Sequence, residues 1–308
     1  MLRVEKPGLF TTIQDLGRPN AIASGVPAGG AMDRFAHRAA NLLAGNDEGA
    51  ATLECTLSGP ELVAMGPCVV AIAGADFDPH VNGRPAPMWT SVFLSEGDTL
   101  SFAARRWGAR AYIALTGGIS GDRWLGSMST NVLLAHGGMQ GRRLKAGDII
   151  SVAGSERVPA ISGRHLAEHV RPDYAGHRLP AIAGPHVGRL DAEGRKALFG
   201  SAFQVSRDAD RMGYRLDGPV LELSGDELLS FALVPGVVQV PRGGQPILLM
   251  ADHGTAGGYP VVATVTGAAM PVAAQLMPGD ELIFAEVTIE EALRMRAAQR
   301  VALDSLRS

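Results

Sequence analysis

The chain has 308 residues, room for one large domain or two ordinary ones, and its 28 basic against 31 acidic side chains leave a formal charge of −3. That balance supplies no surplus of positive charge to hold a nucleic-acid backbone or an anionic membrane. No apolar run approaches the roughly 18 residues of a membrane span, and the opening "MLRVEKPGLF" lacks a basic segment followed by an apolar one, so a cytoplasmic protein is expected.

The 39 glycines exceed the roughly 22 that average usage would give, which points to many turns and therefore many short strands. In chain order, a helix is expected over 33–44, opened by Asp33 as N-cap and stopped at Gly45. The runs "CVVAIAGADF", "SVFLSEGDTLSF" and "RAYIALTGG" then read as strands. Cys55 and Cys68 lie in such apolar runs and are expected as buried, reduced thiols. A stretch rich in Pro, His and Arg follows, from about 154 to 180. Beyond it come a short helix from Asp191 to Gly200 and the strand-like runs "VLELSGDELLSF", "GVVQVPRGGQPILLM", "PVVATVTG" and "DELIFAEV". A last helix over 289–306 starts at the capping box Thr288-Ile-Glu-Glu291.

The two halves repeat. Leu57-Ser-Gly-Pro-Glu-Leu62 recurs as Leu223-Ser-Gly-Asp-Glu-Leu228, each preceded by Leu-Glu and, further upstream, by Asp-Arg (Asp33-Arg34, Asp210-Arg211). Each copy continues to a Gly-containing turn before proline and a Gly-Asp turn entering a strand (Gly97-Asp98, Gly279-Asp280). Two related β lobes are therefore expected, at 1–155 and 181–308, joined by a linker at 156–180. Leu57 and Gly97 are 40 residues apart and Leu223 and Gly279 are 56 apart, the surplus falling around "DHGTAGGYPVVATVTG". Polar residues carried by one copy of a duplicated fold, inside apolar strands, are a place to look for function.

In that insertion Asp252 and Thr255 offer an acceptor and a hydroxyl, and Gly257-Gly258 would let backbone amides approach a small anion. The same residues suit a β-bulge or tight turn. In "GLFTTIQDLGRPN" (8–20), Gln14, Asp15 and Arg18 could clamp a carboxylate or carbonyl, or Asp15 and Arg18 could pair to brace a turn. His165-Leu-Ala-Glu168-His169 has the spacing of a zinc motif but lies in the expected linker without room for a long helix, so no metal is expected. The sequence has no phosphate loop, dinucleotide fingerprint, serine-hydrolase elbow or Met-Lys-Met biotin-attachment site, so other subunits would supply any energy coupling.

In order along nearly the whole chain, "GLFTTIQDLGR", "GVPAGGAMD", "NLLAGNDEGAATLE", "LTGGI", "RMGYRLDG" and "DHGTAGGYP" resemble the KipA-like family, also called allophanate hydrolase subunit 2 or the biotin-dependent carboxyltransferase family. The resemblance implies a mainly β fold of two cyclophilin-like β-barrel lobes with a few short helices. It also implies KipI-like (PxpB-like) and PxpA-like partner subunits and an ATP-dependent opening of 5-oxoproline to glutamate, a cyclic amide as substrate. The ATP site would be shared with or supplied by the partners, and no biotin is attached to this chain. Two alternatives belong to the same resemblance: the carboxyltransferase component of a biotin-dependent urea or amide carboxylase, and a non-enzymatic regulator that binds a KipI-like kinase inhibitor. Carried over by motif, Asp252, Thr255 and Asp15 are candidate catalytic residues, and Gln14, Arg18, Asp33, Asn41, Arg211, Gly257, Gly258 and Tyr259 are candidate substrate-binding residues. Where the family commonly has two adjacent threonines before Gly-Gly-Tyr-Pro, this chain has Thr255-Ala256.

Overall fold

The computed structural model describes residues 1–153 and 162–307. The backbone divides into two compact units: Met1–Arg18, Gly29–Arg171 and Val301–Ser308 form the first, Pro19–Ala28 and Pro172–Arg300 the second. Of the expected linker 156–180, residues 156–161 lie outside the described range. Residues 162–171 belong to the first unit, where Ser91 N donates to Arg164 O at 2.8 Å, Leu166 N donates to Trp89 O at 3.0 Å, and the Leu166 side chain is buried.

The first unit is two sheets around one core. Its elements are β1 (Leu2–Lys6), β2 (Phe10–Gln14), α1 (Arg34–Leu43), β3 (Thr52–Thr56), β4 (Glu61–Ala64), β5 (Cys68–Asp76), β6 (Pro79–Val81), β7 (Arg84–Pro85), β8 (Thr90–Leu94), β9 (Thr99–Phe102), β10 (Trp107–Leu115) and β11 (Ile149–Ile150). One sheet runs β11-β1-β4-β9-β6-β7 and the other β2-β3-β10-β5-β8, with every pairing antiparallel. Side chains on a strand alternate between faces. Leu53 and Cys55 of β3, with Ile113 and Leu115 of β10, therefore enter the core beside Leu2, Val4 and Leu62 of the other sheet. The intervening Glu54 and Tyr112 belong to the opposite face, on the side where α1 packs across β5 and β10. Covered on both faces, β5 is buried from Cys68 to Ala75, which explains its unbroken apolar sequence. Cys55 and Cys68 are free and buried, and burial pushes the Cys55 thiol up to about 12.

Local signals settle the helix ends. Asp33 caps α1 in extended conformation, its carboxylate accepting Ala36 N at 2.9 Å. Gly45, with φ at 74°, takes the left-handed turn that ends it. Asp191 caps α2 (Ala192–Gly200) through Gly194 N at 2.7 Å.

The second unit is a closed barrel. Its elements are β12 (Arg178–Ala183), α2, β13 (Phe203–Val205), β14 (Gly213–Asp217), β15 (Phe231–Ala232), β16 (Val237–Gln239), β17 (Ile247–Leu249), β18 (Ala256–Gly257), β19 (Val261–Val265), α3 (Met270–Gln275), β20 (Glu281–Glu286) and α4 (Ile289–Asp304). The barrel order is β12-β19-β16-β17-β14-β13-β20, closed by a parallel pairing of β12 with β20. At the start of α4 the expected capping box forms in both directions: Thr288 N donates to Glu291 Oε2 at 2.8 Å, and Glu291 N donates to Thr288 Oγ1 at 3.2 Å.

One strand expected from the repeat does not form. In the first copy Leu62 lies in β4, paired on both edges and fully buried. In the second, residues 224–230 have no strand neighbour among the described residues, Ser224 N instead donates to Arg189 O at 2.9 Å, and Leu228, the counterpart of Leu62, is only half-buried. Closely similar local sequence makes a strand only where an edge is available to satisfy its backbone.

Gly74 shows how tightly the first unit is built. It sits at φ 88° beside the register shift between Trp107 and Ala111, and an added Cβ would lie 2.5 Å from Arg110 O. Gly74→Ala is expected to destabilise by about 1–3 kcal/mol, read as a lower urea midpoint with an unchanged m-value. An unchanged midpoint would show that the β5–β10 bulge does not require glycine.

Candidate functional site

The expected residues fall into two sets, one on each unit. In the first unit Gln14, Asp15 and Arg18 come together around the loop that contains Ser127, Ser129 and Thr130. The Asp15 carboxylate accepts hydrogen bonds from Ser127 Oγ and Ser129 Oγ, both at 2.6 Å, from Met128 N at 2.6 Å and from Gly17 N at 2.7 Å. Burial alone would push this carboxyl up, but the bonds from Ser127, Ser129, Gly17 and Met128 outweigh it and hold it below the ordinary carboxylate range. Arg18, only 2% exposed, donates to Ser129 O and lays its guanidinium over the Trp124 ring, 4.8 Å from the centroid. Gln14 Nε2 donates to Thr12 Oγ1 at 3.0 Å and Thr130 O at 3.2 Å. Asp15 and Arg18 thus meet on Ser129, and both act as braces for the loop from 124 to 138.

Asp33 and Asn41 are held equally deep. Asp33 N donates to Tyr112 Oη at 2.8 Å, and Tyr112 Oη donates to Glu54 Oε2 at 2.7 Å, which also accepts Met32 N at 2.8 Å. Burial and the nearby Glu54 and Asp33 carboxylates keep the Tyr112 phenol protonated, well above its ordinary range. Asn41 Nδ2 donates to Ala50 O at 2.7 Å and faces His37 Nε2 at 3.4 Å. An amide nitrogen only donates, so His37 Nε2 is the acceptor and its Nδ1–H donates to Thr52 Oγ1 at 2.9 Å. Desolvation pushes the His37 imidazole down to about 3, keeping it neutral.

The second set is more open. Strand β14 begins where its antiparallel neighbour β17 ends, so residues 210–212 face 250–252. Asp252 N donates to Arg211 O at 2.8 Å, and Arg211 returns two bonds to the Asp252 carboxylate, Nε to Oδ2 at 2.7 Å and Nη2 to Oδ1 at 3.2 Å. This bidentate clasp fixes the turn after β17. Thr255 is partly buried, and its carbonyl accepts Leu233 N at 3.0 Å. Ala256-Gly257 then pairs as β18 with β15, outside the barrel sheet. A Cβ at 257 would crowd the side-chain ends Leu233 Cδ1 and Gln239 Nε2 at 3.0 and 3.3 Å, and one at 258 would meet the backbone oxygen Leu228 O at 2.9 Å. The crowding comes from packing within the chain, while Tyr259 is half exposed. Ala256 is itself exposed, so the absent second hydroxyl belongs to a surface position.

Three groups here gave no clear signal in sequence. His253 is 1% exposed; its Nδ1–H donates to Gly254 O at 2.7 Å, burial lowers its pKa, and Nε2 has no hydrogen-bond partner among the described residues. His186 Nδ1 accepts Val261 N at 3.0 Å. Gln239 Nε2 donates to Tyr259 O at 3.3 Å, tying the motif to the barrel. A separate cleft of about 640 Å³ on the second unit is lined by Arg207, Asp208, Arg215 and Asp217 among others and contains none of the expected residues. His165 pairs with Thr90 while Glu168–Val170 is a single 3-10 turn, so the zinc-like spacing does not place its histidines on one α-helical face. Among the described residues no group of three or more His, Cys, Asp or Glu side chains is placed to hold a metal, and no helix is long and apolar enough to cross a membrane.

A seven-stranded barrel carrying the Gly-Gly-Tyr-Pro turn, and a two-sheet unit braced by its Gln-Asp-Leu-Gly-Arg segment, define a carboxyltransferase-type β protein. The chain belongs to the family "carboxyltransferase domain, subdomain A and B", whose model matches residues 24–286. It is 37% identical over 309 residues to the C subunit of the Escherichia coli 5-oxoprolinase, covering 99% of this chain and 97% of that one. It is 33% identical over 305 residues to a putative urea carboxylase of Emericella nidulans, covering 94% of this chain but 24% of that one. The crystal structure of the K. lactis urea amidolyase superposes with a TM-score of 0.92 at 27% identity, covering 99% of this chain and 20% of that one.

The buried network gives two expected outcomes. Asp15→Ala leaves two hydroxyls and two backbone amides without their acceptor, so a loss of about 2–4 kcal/mol is expected in chemical denaturation; a loss below about 0.5 kcal/mol would remove Asp15 as a brace. For His37 the folded pKa lies below the unfolded value, so the unfolded chain binds the proton first. Its contribution is present above about pH 6.5 and is lost towards pH 3, with a slope of up to about 1.4 kcal/mol per pH unit. Stability measured across that window in the wild type and in His37→Gln checks this, the variant showing the shallower slope.

Proposed function

We propose that this chain is the C subunit of an ATP-dependent 5-oxoprolinase-type amidohydrolase, acting with a KipI-like and a PxpA-like subunit on a small cyclic amide. The observation that carries the reading is the end-to-end match to the C subunit of a 5-oxoprolinase, a chain of the same extent, whereas the urea carboxylase and amidolyase relatives contain this fold as a minor part of a longer polypeptide.

The reaction adds water to the C5 carbonyl of the lactam, breaks the C5–N bond and leaves the nitrogen as the amine of glutamate. Asp252, fixed by Arg211 and partly open, orients the water. Thr255 and the backbone amide of Gly258 hydrogen-bond the oxygen that gains charge as the carbonyl is attacked. Tyr259 borders the same segment with an exposed phenol. Arg18 and Asp15 contribute by position, because both are committed to the loop from 124 to 138. The chain has no phosphate loop and, among its described residues, no acidic cluster to share a cation with a triphosphate. ATP is placed at a site shared with or supplied by the partner subunits, and no step here runs through it.

Co-expression with the KipI-like and PxpA-like chains of the same genome should give ATP-dependent glutamate formation from 5-oxoproline that stops when this chain is omitted. In that assembly Asp252→Asn is expected to lower turnover about 100-fold or more with folding retained. Equal turnover would take Asp252 out of the chemistry. Biotin-dependent carboxylation of urea by the same assembly, without glutamate formation, would favour the carboxyltransferase alternative.

A further inference from the structure

After β18 the chain runs Gly258-Tyr259-Pro260 before β19 begins at Val261. Proline has no backbone N–H, so Val261 N is the next donor after Tyr259 N. Val261 is buried, and a buried donor requires an acceptor. Here the acceptor is a side chain: Val261 N donates to His186 Nδ1 at 3.0 Å.

His186 holds this residue twice, because its own N donates to Val261 O at 2.9 Å. Two positions earlier Gly184 N donates to Val262 O at 2.8 Å, and a Cβ at Gly184 would lie 2.6 Å from Val261 O, so glycine there lets the two chains approach and seats the imidazole. The ring also lies 5.4 Å from that of Phe231, tilted by 37°. Phe231 pairs with Gly257 and packs on the apolar cluster that contains Val261. One imidazole therefore reaches both ends of the 257–261 segment. The middle is tied to the barrel by Gln239 Nε2 on Tyr259 O at 3.3 Å and Val240 N on Pro260 O at 3.0 Å.

A ring nitrogen that accepts carries no proton, so His186 is the neutral Nε2–H tautomer. A proton gained at Nδ1 would set N–H against N–H and leave Val261 N without its acceptor. The elements against the ring, β15 and β19, carry no titratable side chain. On its own segment Arg189 donates to Asp226 O, and in the turn Asp252 is clasped by Arg211 and Tyr259 is half exposed. His253 already donates through Nδ1–H to Gly254 O, a bond that its protonation would keep. We infer that His186 is a positioning residue for the reacting turn: its neutral imidazole holds Val261 and, through Phe231, Gly257, and so aims the Gly258 amide between them, a hold that protonation releases. The inference rests on the reading of this motif as the place where the lactam is opened.

The test joins amide exchange in the purified full chain, followed by NMR, to turnover in the assembled enzyme. Protection of the Val261 amide should fall about ten-fold or more in His186→Ala and return in His186→Asn, whose Oδ1 accepts the same bond. Taking the wild type from about pH 8 to about pH 5 should lower that protection, while His186→Asn, with no proton to gain, keeps it. In the assembly kcat for 5-oxoproline should fall about ten-fold in His186→Ala with KM little changed, and recover in His186→Asn. Should the alanine variant lose its fold, the contrast in pH response between the wild type and His186→Asn carries the test. Unchanged protection in His186→Ala, equal pH responses in the wild type and His186→Asn, or lost protection with unchanged kcat would each overturn the inference and leave the oxoprolinase reading standing. A wild-type assembly that does not turn over 5-oxoproline would overturn both.

Discussion

A single buried carboxylate organises the first unit. Asp15 accepts four hydrogen bonds from Gly17 and the 127–129 segment, and its carbonyl accepts Ala31 N at 2.9 Å. Its own turn at Gly17, the chain at Ala31 and the distant 127–129 segment are all pinned to one residue. A carboxylate taken out of water is costly unless its lone pairs are filled. Here they are filled, so the group specifies geometry as well as tolerating burial. Gln14 and Arg18 add bonds to Thr130 and Ser129, which makes the Gln-Asp-Leu-Gly-Arg segment one clip holding one loop.

The repeated Asp-Arg dipeptide shows how the two lobes diverged. Asp33 caps α1, whereas Asp210 accepts Met212 N at 2.7 Å and Gly213 N at 3.2 Å to shape the entry to β14. Arg211 then meets Asp252 across the ladder, a partner that the inserted segment supplies. The same two residues therefore end a loop in one lobe and anchor the elaborated motif in the other.

Much of this architecture was legible in the sequence because it depends on near neighbours. The helix ends at Asp33, Asp191 and Thr288 follow from side chains three residues from the amides they satisfy. The unbroken apolar run of β5 reports that both its faces are covered, whereas the alternating β3 is also buried on both faces, with Glu54 held by Tyr112 and Met32. What was not legible depends on distant partners. Nothing near Asp15 announces Ser127 and Ser129, more than a hundred positions away, and a buried brace and an open clamp draw on the same residue types. The stretch 224–230 reads as its counterpart in the first lobe does, but strand formation there required an edge the barrel does not provide. His253 gave only the weak signal of a lone histidine, since burial and an unfilled ring nitrogen are properties of three-dimensional surroundings.

The first unit also incorporates residues from 301 onward: Arg164 donates to Leu306 O, and Arg307 pairs with Glu48 at 3.1 Å. In the second, β12 closes against β20, so Leu179 lies opposite Phe284. Neither unit has all its pieces until translation has passed residue 280. Contacts of such long sequence separation are slow to find, although the two sheets of the first unit have all their strands by residue 150. The sheets of the first unit can therefore form before the barrel, whose seam waits for β20.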